Sequence, residues 1–280
     1  MKYKIVLSTA LLSMFVMIPF AKGQKLAAEE IIAKHLDSIA SAEKRSTVKS
    51  LIAVGEVRVE YITQKNQPAS GRLVIASEGN RLFAGMSLNA SDYPQETIIF
   101  DGNKTSVALV RAGTRSVLGN FIQANTLMLS QGLFSGTLSS SWVLLNAVGS
   151  KAKISTAGTK KIDGREAYAL SFSPKGGGDL DITMYFDKET FRHIRTEYKR
   201  TSSASMGRTI DESARQSETR LKVTEDFSDF KESQGLTLPN KYKISYLVMG
   251  SSTTEVQWVC QLSEFAVNQK LDAKTFEAGN

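Results

Sequence analysis

The sequence predicts a mainly β protein, a long antiparallel meander forming a curved sheet with helical pieces laid over one face. Three observations carry this reading. From residue 50 onward, apolar side chains recur with a period of two, in short runs separated by turns rich in Gly, Pro, Asn and Asp. Residues 26–44 follow a helical period instead. Between two blocks of strand-like runs lie residues 116–150, which contain no Asp, Glu, Lys or Arg, although those four types make up 22% of the chain.

The first 23 residues read as a secretory signal. Lys2 and Lys4 supply the positive start, residues 5–20 the apolar region, and Ala21-Lys22-Gly23 a small-residue cleavage site before Gln24. An uncleaved membrane anchor is the competing reading, because the apolar region is long for a signal. No cysteine follows it, so a lipid-modified cysteine is not expected at the mature N-terminus. Residues 24–280 show no linker and no strong internal repeat, and are expected to form one exported domain. Within residues 26–44, Leu26, Ile31, Ile32, His35, Leu36 and Ile39 share one side. His35 is expected to have a local partner rather than a metal, since no second ligand-type residue stands at i+3 or i+4.

The strands follow in order. Gly55, Val57, Val59 and Tyr61 alternate with Val54, Glu56, Arg58 and Glu60, giving one apolar and one polar face. Further runs are residues 71–77, 81–88, 96–100 and 105–110, with turns around Pro68, Gly79-Asn80, Tyr93-Pro94 and Gly102-Asn103. After the charge-free stretch, Tyr168, Leu170 and Phe172 point one way within residues 165–173. Leu180, Ile182, Met184 and Phe186 do the same within 180–186, and residues 193–199 alternate again. Gly176-Gly177-Gly178 opens no helix and lacks a following Lys-Ser/Thr, so it is a hairpin loop rather than a phosphate cradle. Residues 201–217 are polar, Ser-rich and aperiodic, as a mobile loop would be. Strands return at 219–226, 241–248 and 253–267, with Gly235 and Pro239 marking a connection.

The charge-free stretch must face something other than bulk water over much of its surface. Leu118, Ile122, Asn125 and Leu129 fall on one helical face, with Phe121, Met128, Leu133 and Phe134 widening it. Gly132 and Gly136 break the pattern before a second apolar piece at Trp142-Val143-Leu144-Leu145. It is not a membrane span, because polar residues and glycines interrupt it before about 20 apolar residues accumulate. Two readings remain: a core helix packed permanently on the sheet, or a lid over an apolar cavity.

Composition narrows the function classes. The single cysteine, Cys260, rules out an intrachain disulfide and a cysteine-rich metal site. Only His35 and His193 are available for zinc or Ser-His chemistry, and neither has a motif neighbour. Acid pairs such as Glu29-Glu30 and Asp179/Asp181 read as solvated faces. The formal charge of +7 includes Lys2, Lys4 and Lys22; the remainder holds 32 basic against 28 acidic residues, too mild and too dispersed for nucleic acid. No catalytic constellation, metal site or cofactor is expected.

Lys160-Lys161-Ile162-Asp163-Gly164-Arg165-Glu166, Tyr185-Phe186-Asp187-Lys188-Glu189-Thr190 and Phe227-Ser228-Asp229-Phe230, followed by Gly235-Leu236-Thr237-Leu238-Pro239, resemble the outer-membrane lipoprotein-sorting, or LolA-like, proteins. The resemblance implies an unclosed β-barrel whose concave face is covered by helices, leaving an apolar cavity for acyl chains. It implies a periplasmic carrier or binding protein for a lipid or lipoprotein acyl chain, without stable membrane insertion once the signal is cleaved. The alternative within the same fold is an envelope sensor or protein-interaction module with no transported cargo. The residues expected around an acyl chain are Leu118, Phe121, Ile122, Leu129, Phe134 and Trp142 of the cover, and Leu170, Phe172, Ile182, Met184 and Phe186 of the sheet.

Overall fold

The computed structural model describes residues 26–146, 153–203 and 218–278; the expected signal and residues 204–217 lie outside that range. Alternation and tight turns produce hairpin after hairpin. The amino-terminal strands are β1 (Ser50–Tyr61), β2 (Ala69–Glu78), β3 (Arg81–Leu88), β4 (Gln95–Phe100) and β5 (Thr105–Val107). The second series comprises β6 (Lys153–Ile162), β7 (Arg165–Ser173), β8 (Asp181–Asp187), β9 (His193–Ser202), β10 (Thr219–Ser233), β11 (Leu236–Met249) and β12 (Thr253–Val267).

All twelve lie in one curled, unclosed antiparallel sheet of order β5-β4-β3-β2-β1-β12-β11-β10-β9-β8-β7-β6. The two series are joined by β1 pairing with β12, from Leu51 opposite Val267 to Tyr61 opposite Val256. Consecutive strands β5 and β6 therefore stand at opposite edges. The described part of the charge-free stretch between them, residues 116–146, lies across the apolar face. That face packs into one core with α1 (Ala28–Ile39) and the cover, which holds α3 (Val117–Ala124), α4 (Leu127–Ser130) and single 3-10 turns at Gly136–Leu138 and Val143–Asn146.

Several sequence expectations need correction. The leading helix ends at Ile39, and a second one, α2 (Ala42–Thr47), starts where the Ser41 hydroxyl accepts the Lys44 N–H at 3.2 Å. A serine that caps a new helix offers the backbone an alternative to continuing the old one. Strand β6 was not expected. It is an edge strand exposed along nearly its whole length, so no apolar alternation betrays it. Residues 227–240 are not a connection but continuous strand, turning only at Gln234-Gly235. Pro239 sits inside β11 because β12 pairs with β11 only from Lys241 onward, so its missing N–H removes no ladder bond on that side. Residues 105–110 form strand only to Val107.

The opposite face of the sheet is mixed, with charged rows and apolar ones such as Ile52, Ala76, Phe83 and Ile99. At one end of it Ile162, Ala167, Ala169, Tyr185 and Ile194 make a second small apolar cluster beneath Phe230.

Candidate apolar binding site

The cover is built from short pieces that the sequence punctuates tightly. The Ser116 hydroxyl accepts the Gly119 N–H at 2.8 Å and starts α3. The Asn125 side chain donates to the Phe121 carbonyl at 2.7 Å and closes it. Gly132 has φ 65°, and a Cβ there would stand 1.8 Å from the Ser141 carbonyl oxygen, so only glycine lets the two limbs of the cover approach. Ser135 and Gly136 follow in left-handed conformations, at φ 67° and 48°.

The expected cover residues all point into the core. Leu118, Ile122 and Trp142 are 0% exposed, Leu129 and Phe134 2%, and Phe121 4%. They share one continuous apolar cluster with Leu170, Phe172, Ile182, Met184 and Phe186 of the sheet. The residues named from sequence are thus brought together. In this arrangement the cover's own side chains occupy the concavity that the resemblance assigned to acyl chains. A space of about 40 Å³ remains beside Trp142, between the cover and Leu236 and Leu238.

Polar ties fasten the cover at intervals. Ser116 donates its hydroxyl to Glu96, a fully buried carboxylate that also accepts from Tyr93 at 2.6 Å; the Trp258 indole N–H in turn donates to the Tyr93 oxygen at 3.0 Å. Burial pushes the Glu96 carboxyl above the ordinary range, and the two hydroxyl donors partly offset it. Gln131 exchanges two hydrogen bonds with the Lys175 backbone in the β7–β8 loop, and the Ser140 N–H donates to the Ser77 hydroxyl at 2.8 Å.

Glu225 is the deepest tie. Its carboxylate accepts the Ser135 N–H at 2.8 Å from the cover, and the Tyr198 and Tyr242 hydroxyls at 2.7 and 2.5 Å from the sheet. No described cation pairs with it at ion-pair distance. Burial pushes its pKa up to about 7, against the pull of its three donors. Burial also raises both tyrosines, reinforced by the Glu225 charge.

The two histidines meet here. The carbonyl of Phe191 can only accept, so His35 Nδ1 donates to it at 3.0 Å, and His35 Nε2 then accepts the Trp142 indole N–H at 3.3 Å. Trp142 stacks on His193 at 4.8 Å between centroids, and the two imidazoles lie 6.1 Å apart. Burial lowers His35 to about 4 and holds His193 well below its ordinary value. Both are neutral spacers between helix, cover and sheet. No group of three or more His, Cys, Asp and Glu is placed to hold a metal among the described residues.

Sequence reading missed Glu96 and Glu225, and the signal was available. Each occupies the core-facing parity of its strand, with Ile98 and Phe100 in β4 and with Leu221, Val223 and Phe227 in β10. An acid on an apolar parity is a buried acid. The meeting of His35, Trp142 and His193 had no local signal.

With this geometry in place, solved structures offer a comparison. The chain is similar to several solved structures at low identity. A LolA superfamily protein of Nitrosomonas europaea shares 13% identity, covering 90% of this chain and 98% of that one, with a TM-score of 0.48. A lipoprotein-sorting domain of Vibrio parahaemolyticus shares 11% identity over 88% and 97% of the two chains, at 0.43. A DUF1329 family protein of Desulfovibrio piger shares 11% over 89% and 96%, also at 0.43. No family model and no curated protein matches the sequence. No described helix is long and apolar enough to cross a membrane.

Proposed function

We propose that the protein is an exported, periplasmic carrier that holds a lipid or lipoprotein acyl chain between the concave face of the sheet and the charge-free cover. One observation carries this reading: a core made of a separable piece. The cover lies between the first and second series of strands, its helices are no longer than eight residues, and its inner face is mostly apolar. Helices this short have little stability of their own and depend on what they pack against. An acyl chain offers them an equivalent surface.

The energetics suit reversible transfer. A 16-carbon chain gains on the order of 12 kcal/mol on leaving water, at about 0.8 kcal/mol per CH₂. Against a membrane the net is close to zero, because lipid tails are an equivalent solvent. Loading replaces contacts between cover and sheet by contacts of each with the chain, so the empty and loaded forms differ little in buried area.

The test is a fluorescent fatty-acyl probe titration, alongside native mass spectrometry of protein purified from its own envelope. Co-purifying lipid and saturable probe uptake are expected. Leu129→Asp, which places a carboxylate on the cover's inner face, should abolish uptake while the sheet keeps a cooperative melt. A protein that takes up no probe and carries no lipid would instead be the interaction module.

A further inference from the structure

A concavity of ligand size lies on the other face of the sheet, among the described residues. It is a cleft of about 1050 Å³ running from β2 across β1, β12 and β11 to β10, with the β6–β7 turn leaning over it. Cross-strand register orders its floor into two rows. One reads Arg72, Glu56, Gln261, Lys241, Ser228, and the other Ser70, Arg58, Val259, Lys243, Asp226, Arg195. The lining carries five basic side chains against three acidic ones.

Internal pairing makes the imbalance sharper. Arg195 binds Asp226 and also Asp163 of the overhanging turn, the latter at 3.2 Å, and Lys243 stands 3.5 Å from Asp226. Two of the three acids are thereby neutralised by one another's cations. Arg72, Arg165 and Lys241 come from three different strands, and none makes an ion pair among the described residues. Three cations without ion pairs line one concave site against the single remaining carboxylate of Glu56, which leaves a net positive field in it. Val259, at 39% exposed, leaves an apolar spot on the floor between them.

We propose that this cleft is a docking site for a short acidic segment of a partner protein, bound extended across the strands. Five strands at about 4.8 Å spacing span roughly 19 Å, the length of about six extended residues. Guanidinium groups suit carboxylates because their planar forks bind them bidentately. Arg72 and Lys241 sit on the floor and Arg165 at the β6–β7 turn facing it, a groove where a single chain fits and a flat membrane surface does not reach. The cleft backs onto the same strands as the cover, so a partner can hold the protein without obstructing the apolar face.

The test is fluorescence anisotropy of a dye-labelled glutamate hexapeptide with the full mature chain at about 20 mM salt, where surface charges are little screened. Saturable binding is expected. It should weaken by about tenfold or more in Arg72→Ala/Arg165→Ala/Lys241→Ala. It should be unchanged in Lys65→Ala/Lys104→Ala/Lys270→Ala, which removes the same charge from other surfaces. Acyl-probe uptake should be intact in both, which separates this site from the apolar one. Arg165→Glu, a single exposed turn substitution, serves if the triple variant melts early, and it should also abolish peptide binding. Equal loss in the two triple variants would mean nonspecific charge attraction and overturn the proposal. So would absence of binding at low salt, or cleft-dependent binding to phosphatidylglycerol vesicles without peptide binding.

Discussion

Glu225 offers a sharp test of how the cover is held. Its carboxyl is completely buried, accepts three hydrogen bonds and has no described cation at ion-pair distance, and burial raises its pKa from 4.5 to about 7. Between those values the folded protein keeps a proton that the unfolded chain has lost. Stability contributed by the protonated group is therefore present at low pH and falls as pH rises through the window, by about 1.4 kcal/mol per unit. The whole fall is about 3 kcal/mol by roughly pH 8. Buried histidines titrate in the opposite sense, so the wild-type profile alone would mix the two. Glu225→Gln removes only the carboxyl and keeps an acceptor for the Ser135 N–H. Urea unfolding of both proteins, followed by the buried Trp142 and Trp258, should show the variant gaining about 3 kcal/mol on the wild type from about pH 4.5 to 8. Parallel profiles would refute the reasoning, because they would mean the carboxyl is hydrated or paired.

Other outcomes follow from the same geometry. His35 is held at about 4 by burial, so wild-type stability should fall as pH drops below the ordinary histidine value. Its share is about 2 kcal/mol between about pH 7 and 5, and His35→Gln should remove that share in urea titrations. Gly132→Ala forces a Cβ against the Ser141 carbonyl at a left-handed position. It should cost about 2 kcal/mol or more in a thermal melt; an unchanged melt would count against the close approach of the two limbs. Replacing residues 204–217 by Asn-Gly should leave the melt cooperative, because the β9–β10 ladder already closes at Ser202 opposite Thr219.

Strands with a regular apolar alternation were legible. In β7 and β8 the alternation of Tyr168, Leu170 and Phe172 and of Ile182, Met184 and Phe186 fixes both strand and facing, and the structure agrees. Strand β6 was invisible because an exposed edge has no dry face to write a period, and Gly158 and Thr159 sit at an irregularity in its pairing. The inward face of the cover was legible from Leu118, Ile122 and Leu129. Its closure onto the sheet was not, because apolar side chains look the same whether they fill a cavity or roof one. The outer cleft escaped notice for another reason: Arg72, Arg165 and Lys241 are ordinary surface cations until the register aligns them.

The pairing of β1 with β12 sets an order of events in time. Each series of strands is a local meander whose hairpins can form early, since neighbours in sequence are neighbours in the sheet. The seam between the two series brings Leu51 beside Val267 and cannot form until the last strand is present. Until then β1 presents an open edge on which apolar Val57 and Val59 alternate with Glu56, Arg58 and Glu60, the kind of strand that pairs with other chains. An unfinished chain is thus held open at its centre until its last strand arrives.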